Sequence, residues 1–515
     1  MKQIIYILLL ITLVGCKDNF YDEVTKYAVI DTEQDKIDLI NGIYSRLVRV
    51  HDGNYFSLTS RADDVNMYSN YSFMTGQGGC SSSGSGPDFA SVSGNVYVNL
   101  YAAIVNANEL ISVLSVSDDA EILGETYFLR AYCYFKLARL FGTPLLVVDT
   151  DVNYLLEMPS FEEVYDIIEE DLLNAIDLLP ETYTTARVPF ESPHKGTTKA
   201  LLAEVYLTMA GYPVNNQSKY SEAARLAGEV IENAAFFGFE LLSDLKDLKT
   251  KSDQHCPEHI FSLFLKDDET SISSSLGDYS GSFFKGEGVT YGISSTYKME
   301  FKYFKNYPVN YRRSVFLKCG DYKYAVHSTI DTVYKVLEYQ LEDPLVNPCT
   351  YISNVGYLKW VDLNDLIDKK TLGIATLRSS YITIYLLRYA QTLLTYAEAK
   401  ARSGQLDESA YEAVNMIRRR ANKLDILSPS EFDLTKGLSN EQFIDSVVWE
   451  RAWELCFEPD GRWFDIIRLN LKDKLNSEYR FAFDAPTVVP QSMLTDKWYF
   501  YKIPQEDRWM NPNFE

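Results

Sequence analysis

The sequence lacks the short motifs that mark most catalytic and nucleotide-binding sites. It contains no Gly-x-Ser-x-Gly nucleophile elbow, no His-Glu-x-x-His zinc motif, no Walker loop and no Gly-x-Gly-x-x-Gly fingerprint. Histidine is also scarce, with five residues in the chain. His255 and His259 form the sole local pair, and Pro257 between them disfavours the regular helix that a shared zinc ion would need. We therefore predict two unrelated loop histidines, no metal ion, no cofactor and no enzymatic activity.

Positive charge and cysteine are in short supply too. The chain has 49 Lys and Arg against 72 Asp and Glu, and the resulting net charge of −23 repels phosphate backbones, which argues against nucleic acid as a partner. Seven cysteines are scattered among 515 residues, so no dense disulfide framework is expected. Cys133 and Cys456 fall in apolar helical patterns and are predicted to be buried thiols.

The one apolar run that suggests membrane targeting lies at the amino terminus. Residues 4–14 follow Lys2 and suit the core of an export signal, but they are too few for the roughly 20 residues that span a bilayer. Gly15-Cys16 closes the run and resembles the bacterial lipobox, in which the cysteine carries lipid. We predict a signal peptide over residues 1–15 and lipid attachment at Cys16. The alternative is an ordinary signal peptide followed by a chance cysteine.

Apolar residues spaced at i, i+3 and i+4 predict a mainly α-helical fold. The predicted helices span residues 34–50, 98–115, 119–141, 161–179, 197–210, 219–235, 382–403, 408–422 and 440–457. Two of them share a pattern of small residues around a tyrosine, with members Ala131, Tyr134, Ala138, Ala203, Tyr206 and Ala210. Such alternation lets two helices pack closely, which is typical of tetratricopeptide-like hairpins. A third hairpin of this kind is predicted from residue 396 onwards.

Two long segments rich in Gly, Ser and aromatic residues interrupt this helical scaffold. They are loop-rich insertions at about 68–97 and 266–380, with a few short strands, and the scaffold itself covers about 31–240 and 380–515. The chain has 38 Tyr, a residue that can both stack on a ligand and hydrogen-bond it. We predict that aromatic residues of the insertions contact a ligand; the alternative is that they pin the loops to the core. The candidates are Tyr68, Tyr71, Phe73, Tyr279, Phe283, Phe284 and Tyr291.

Segment 449–468 combines carboxylates, arginines and aromatic rings. Glu454 and Glu458 invite comparison with the paired carboxyls of glycosidases. However, each acid of the segment has an arginine three or four residues away, which would keep it ionised and unsuited to general acid catalysis. We predict a structural network with the pairs Arg451 with Glu454, Arg462 with Glu458, and Arg468 with Asp465.

The same segment carries a family resemblance. It contains Glu450-Arg451, Glu454-Leu455, Phe457-Glu458, Arg462-Trp463, Asp465 and Arg468. This pattern resembles the Glu-Arg-x-x-Glu-Leu-x-Phe-Glu-Gly-x-Arg-Trp-x-Asp-Leu-x-Arg block of the SusD/RagB family, the surface nutrient-binding lipoproteins of Bacteroidetes. Pro459-Asp460-Gly461 is a departure, because the family has a single Gly and one spacer there. Segments 99–108, 388–418 and 503–513 resemble further elements of the family, in the same order along the chain.

The resemblance implies a fold, a location and a function. Residues 16–515 would form one SusD-like domain built on tetratricopeptide-like hairpins, lipid-anchored in the outer membrane. The run Lys17-Asp18-Asn19 resembles the tag that directs such lipoproteins to the cell exterior. The expected function is capture of oligosaccharides or polysaccharides, without hydrolysis, for a partner SusC-like TonB-dependent transporter. The alternative within the family is an oligopeptide-binding lid; a catalytic lipoprotein and a structural scaffold are two further alternatives.

Overall fold

A computed structural model describes most of the helical scaffold and parts of the second insertion. The described residues are 30, 32–51, 55, 58–59, 62–67, 89–150, 155–183, 192–249, 255–264, 284–286, 289–291, 297–319, 355–357, 359–360, 382–475, 499–504, 507, 511 and 513. None of the helices in these ranges has the length and hydropathy of a membrane span.

Helices dominate the described chain. They are α1 Glu33–Val50, α2 Phe89–Val113, α3 Val116–Phe141, α4 Phe161–Leu178, α5 Lys195–Met209, α6 Lys219–Glu232, α7 Ala234–Phe237, α8 Phe301–Asn306, α9 Tyr311–Phe316, α10 Tyr389–Arg402, α11 Glu408–Ala421, α12 Asn440–Glu454 and α13 Arg462–Arg468. The strands are β1 Val65–Met67, β2 His259–Leu263, β3 Phe284–Gly286, β4 Val289–Tyr291, β5 Tyr297–Met299, β6 Leu317–Cys319, β7 Val355–Tyr357 and β8 Ile384–Arg388.

The scaffold is a continuous stack in which each helix from α1 to α6 packs against the next. Helix α6 then packs against α10, which contacts both α11 and α12, so the two ends of the chain share one core. The alanines and tyrosines of the predicted hairpin pattern are buried in α3 and at the end of α5. The two tyrosine hydroxyls also donate hydrogen bonds: that of Tyr134 to Val147 O at 2.7 Å and that of Tyr206 to Glu169 Oε1 at 2.7 Å.

Local signals account for several helix ends. Ser160 forms a capping box with Glu163, as its spacing indicates, because its hydroxyl accepts from the Glu163 N–H while the Glu163 carboxylate accepts from the Ser160 N–H. Helix α3 begins earlier than the sequence suggests, at Val116, because Ser115 is the N-cap.

Two predicted boundaries are wrong. Helix α2 begins at Phe89, inside the segment predicted as a loop over 68–97, because burial of Val96, Tyr97 and Leu100 offsets the low helix propensity of its Ser and Gly residues. The predicted helix over 382–403 is strand β8 followed by helix α10. All five residues of β8 are buried, and a short, fully buried apolar run has no period that separates a strand from a helix.

Among the described residues, four two-stranded antiparallel sheets lie in or beside the second insertion. Strands β2 and β8 pair at its two ends, so the chain leaves the scaffold after Leu263 and returns at Ile384 beside its point of departure. Strands β3 and β4 form a hairpin, and β6 pairs with β7. The fourth sheet joins the residues directly before the first insertion to the second insertion, because β1 pairs with β5. The insertion also contains the short helices α8 and α9, which its loop-like composition does not predict.

The carboxyl-terminal tail ties distant parts of the amino-terminal half together. The Tyr501 N–H donates to Leu140 O at 2.7 Å, and the Tyr501 hydroxyl donates to Leu58 O at 2.9 Å. Further along, the Asn511 side chain donates to Leu156 O at 2.9 Å.

Gly211 provides a test of how tightly the two halves pack. A Cβ atom at this position would lie 2.2 Å from Arg468 O, a backbone atom of α13 that also accepts the Tyr212 N–H at 2.8 Å. We expect Gly211→Ala to lower the free energy of unfolding by about 1–3 kcal/mol through overpacking, as measured by urea unfolding. Gly94→Ala in α2 is the control: apart from its chain neighbours and the backbone of its own helix, no atom lies within 4 Å of the added Cβ, so the variant should be as stable as the native chain or more so. Equal stability of the two variants would contradict this account.

Candidate ligand-binding site

The β3–β4 hairpin brings together two of the predicted ligand residues. Its register pairs Phe284 with Tyr291 across the two strands. The other five, Tyr68, Tyr71, Phe73, Tyr279 and Phe283, lie outside the described residues, as does Cys16.

The β1–β5 sheet pairs the residues directly before the first insertion with the second insertion. Met67 pairs with Tyr297, and Tyr68 is the next residue after Met67. Tyr291 precedes Tyr297 by six residues, so the two Cα atoms are separated by at most about 21 Å. Along the chain, the β1–β5 sheet is therefore one residue from Tyr68 and six residues from Tyr291, although these two candidates are distant from each other in the sequence.

Residues at the base of this sheet are fixed to the carboxyl-terminal helices. The Glu300 N–H, directly after β5, donates to Asp64 O at 2.8 Å. Arg462 at the start of α13 binds the Asp63 carboxylate with its Nε and Nη2 atoms at 2.7 and 2.8 Å. The end of β1 nearest the scaffold is thus held from two sides.

A buried group of ions, here called the central charge cluster, attaches the second insertion to the scaffold. Its members are Glu258, Arg312, Lys359, Arg388, Arg420, Glu450, Glu454 and Glu458, all buried. Glu258 and Arg388 stand at the two ends of the insertion, and Arg388 Nη1 lies 2.5 Å from Glu258 Oε1. Arg312 and Lys359 come from inside the insertion: Arg312 bonds Glu450 Oε1 at 2.6 Å, and Lys359 bonds Glu458 Oε1 at 2.5 Å.

The Glu454 carboxylate forms ion pairs with three arginines. Its carboxylate lies 2.9 Å from Arg420 Nη2, 3.0 Å from Arg312 Nη1 and 3.2 Å from Arg388 Nη2. Burial alone would raise the pKa of Glu454, but the charges of Arg420, Arg388 and Arg312 hold it well below its usual range. This carboxylate therefore stays ionised and cannot serve as a general acid.

The network exists as predicted, but two of its three predicted pairs are wrong. Arg468 does pair with Asp465, at 2.7 Å. Arg451 instead reaches Glu204 in α5 at 3.0 Å, and Arg462 reaches Asp63. Arg462 opens α13 whereas Glu458 lies in the turn after α12, so these two side chains share no helix face. Arg451 and Glu454 do lie three residues apart on α12, but the Glu454 carboxylate is bound by Arg312, Arg388 and Arg420 instead.

The departure Pro459-Asp460-Gly461 has a structural role. The Asp460 carboxylate is buried, pairs with Lys136 and lies 2.6 Å from Arg139 Nη2, which joins this turn to α3. A Cβ atom on Gly461 would lie 2.3 Å from Leu455 O, so the tight turn requires glycine.

The histidine and cysteine expectations have a mixed outcome. His259 is the first residue of strand β2, and its Nε2 atom is 3.1 Å from Leu248 O. The prediction of a loop histidine is wrong for this residue because it pairs with Arg388 of β8. Within the part of the chain that the structure describes, no three His, Cys, Asp or Glu residues are grouped to hold a metal ion. Cys133 and Cys456 are buried free thiols, as predicted.

Two family models match the chain. One is described as the SusD family and matches residues 244–514. The other is described as starch-binding associating with outer membrane and matches residues 19–207. The chain belongs to the SusD family. Neither description names an enzyme, and the second associates such proteins with the outer membrane.

Known SusD-like proteins resemble this chain over most of its length. A SusD-like protein of Formosa agariphila is 27% identical, covering 96% of this chain and 98% of its own. The solved structure of a SusD homologue of Bacteroides thetaiotaomicron has a TM-score of 0.72 at 24% identity, covering 94% and 96% of the two chains. A solved laminarin-binding SusD-like protein has a TM-score of 0.62 at 18% identity, covering 93% and 98%. The predicted SusD-like helical fold is confirmed.

Several residues that organise this SusD-family site escape sequence reasoning. Asp63 and its partner Arg462 are separated by 399 positions, and nothing local marks them as a pair. Lys136 and Arg139 do leave a signal, since both interrupt the apolar pattern of α3 with charges on buried positions. A charge inside an apolar helix pattern indicates a buried partner, here Asp460.

Asp64 lies in a small cavity at the base of β1. The cavity is lined by Thr59, Asp64, Val65, Phe457, Glu458, Arg462 and Trp463. Burial, together with the neighbouring Asp63 carboxylate, raises the pKa of Asp64 to about 7 although Arg462 acts in the opposite direction. Its charge state therefore changes near neutral pH.

The raised pKa predicts a pH-dependent stability. The stabilising contribution of the Asp64 proton is full below the pKa of an unfolded aspartate, about 4, and is lost as the pH rises through 7. Between pH 5 and 7 the free energy of unfolding of the native chain should fall more steeply than that of Asp64→Asn, by up to about 1.4 kcal/mol per pH unit. Urea unfolding at pH 5, 6 and 7 measures this slope. Asp445→Asn, which changes an exposed carboxyl on α12, should retain the native slope, and a native slope in Asp64→Asn would contradict the prediction.

Proposed function

We propose that this protein binds oligosaccharides or polysaccharides at the cell surface and delivers them to a partner TonB-dependent transporter, without cleaving them. The observation that carries the proposal is the pairing of β1, which directly precedes the first aromatic-rich insertion, with β5 of the second insertion on a SusD-family scaffold. We place the centre of the proposed binding site at the Phe284–Tyr291 pair on the β3–β4 hairpin.

Aromatic residues on such a hairpin suit a sugar ligand. A ring covers the apolar C–H face of a pyranose, and a phenol hydroxyl can satisfy the polar rim of the same sugar. The laminarin-binding neighbour gives this class of ligand further support, since it shares the fold over 93% of this chain.

Lipid attachment at Cys16 would place the protein on the membrane that holds the transporter. Thirteen residues lie between Cys16 and Ile30, so the tether spans at most about 50 Å. That reach is compatible with an outward-facing protein that stays beside a membrane-embedded partner.

A binding role without catalysis agrees with the chemistry of the acidic residues. Glu454, the most tempting catalytic carboxylate, is held ionised by three arginines, and its exposed side-chain fraction is 0%. A glycosidase needs a carboxylic acid that carries a proton beside the scissile bond.

Calorimetry of the lipid-free mature chain tests the ligand class. The panel contains laminarin, starch, xylan, mannan and a mixture of oligopeptides. We expect binding to one or more glycans with no release of reducing sugar. Binding to peptides alone would favour the oligopeptide-binding alternative and overturn the glycan proposal. Release of reducing sugar would overturn the non-catalytic role.

Substitution on the hairpin tests the site. Tyr291→Ala and Phe284→Ala should each weaken binding of the best glycan by about five- to thirtyfold, since loss of a stacking ring removes roughly 1–2 kcal/mol. Phe236→Ala on α7 is the matched control, because this ring is 59% exposed and belongs to the helical stack. Unchanged affinity in both hairpin variants would remove the hairpin from the site.

A further inference from the structure

We propose that Asp63 and Arg462 are positioning residues for the ligand-bearing insertions. In this proposal the ion pair between them holds the β1–β5 sheet in register on the scaffold. The inference rests on the proposed function for its ligand, but the sheet geometry that it predicts can be measured with no ligand present.

The pair has the geometry of a rigid joint. Arg462 binds Asp63 through two parallel hydrogen bonds of 2.7 and 2.8 Å, and the two side chains are only 2% and 5% exposed. A bidentate contact of this kind fixes orientation as well as distance, because the planar guanidinium matches the two carboxylate oxygens.

The two partners connect helix α13 to the β1–β5 sheet. Arg462 opens α13 directly after Gly461, whose turn leaves no space for a Cβ atom. Asp63 is two residues before β1, and Asp64 O accepts the Glu300 N–H that follows β5. The joint is thus connected through one residue to both strands of the sheet.

The sheet in turn sets where the ligand residues start. Register in a two-stranded ladder of three residues is weakly specified by the ladder itself, because few hydrogen bonds define it. The β1–β5 ladder runs from Val65 with Met299 to Met67 with Tyr297, and the Phe284–Tyr291 hairpin precedes it in the chain. An anchor at one end of the ladder therefore fixes Met67, after which the first insertion begins, and Tyr297, which follows Tyr291 by six residues.

A second ion pair in the molecule offers a matched control. Arg130 in α3 binds Asp171 in α4 through two hydrogen bonds of 2.8 and 2.7 Å, and the two side chains are 9% and 3% exposed. The chemistry and burial resemble those of the proposed joint. The location differs, since α3 and α4 lie inside the helical stack and neither contains a strand residue or a ligand candidate.

Amide hydrogen exchange on the full mature chain tests the proposal without ligand. We expect Asp63→Asn to speed exchange at residues 65–67 and 297–299 at least tenfold, while Asp171→Asn leaves these amides within twofold of the native chain. Equal exchange in the two variants at both strands would overturn the proposal, whatever the protein binds.

A double variant separates positioning from stability. Asp63→Asn leaves the Arg462 charge buried and unpaired, which can prevent folding. Asp63→Asn with Arg462→Gln removes both charges and should recover most of the lost stability, yet exchange at the two strands should stay fast. Recovery of native exchange together with native stability would show that the pair is only structural and would overturn the proposal.

Laminarin binding extends the test to function. If the native chain binds laminarin, the double variant should bind it at least tenfold more weakly, and Asp171→Asn should bind it within twofold of native. Native affinity in the double variant would overturn the positioning role. If the native chain binds no glycan in the panel, the proposed function fails, and the exchange experiment alone decides the joint.

Discussion

The central charge cluster is the interaction on which the rest of this structure depends. Four bases and four acids are buried together between Glu258 and Glu458, and each charge has an opposite charge within hydrogen-bonding distance. Burial of an ion is costly unless its partner is in place, so the members can be buried only as a set. Because they come from the start, the interior and the end of the second insertion and from α11 and α12, the set forms only when all these parts are correctly assembled. An arrangement that leaves out one of these parts would leave a buried charge unpaired, which is costly.

The same logic repeats around the molecule and explains how a helical stack can carry long insertions. Arg468 and Glu398 join α13 to α10 at 2.7 Å, Arg451 and Glu204 join α12 to α5, and Asp460 joins the turn before α13 to α3. Segment 449–468 is the common element in these contacts. It forms ion pairs with the helical stack on one side and with residues of the second insertion on the other.

How much of this could be predicted depends on the distance between partners in the sequence. Helix α4 was predictable because its apolar spacing and its Ser160–Glu163 capping box are local, and buried Cys133 and Cys456 follow from the same periodicity. Strand β8 was not, since its five buried residues carry no period. The ion pairs of Arg451 and Arg462 were misassigned because proximity along one helix was the only available guide, whereas the real partners come from other elements. The pairing of β1 with β5 depends on a contact between positions 65 and 299, for which a single sequence contains no signal.

The β2–β8 sheet has a consequence for how members of this family can diverge. It closes the second insertion at its base, so that Leu263 and Ile384 are cross-strand partners although about 120 residues separate them. Extra length in a segment closed at its base costs little, because loop-closure entropy grows only with the logarithm of length. Changes of length and sequence can therefore accumulate in the segment between β2 and β8 without disturbing the helices. The sequence and length of the segment can therefore change while the helices that hold it stay the same.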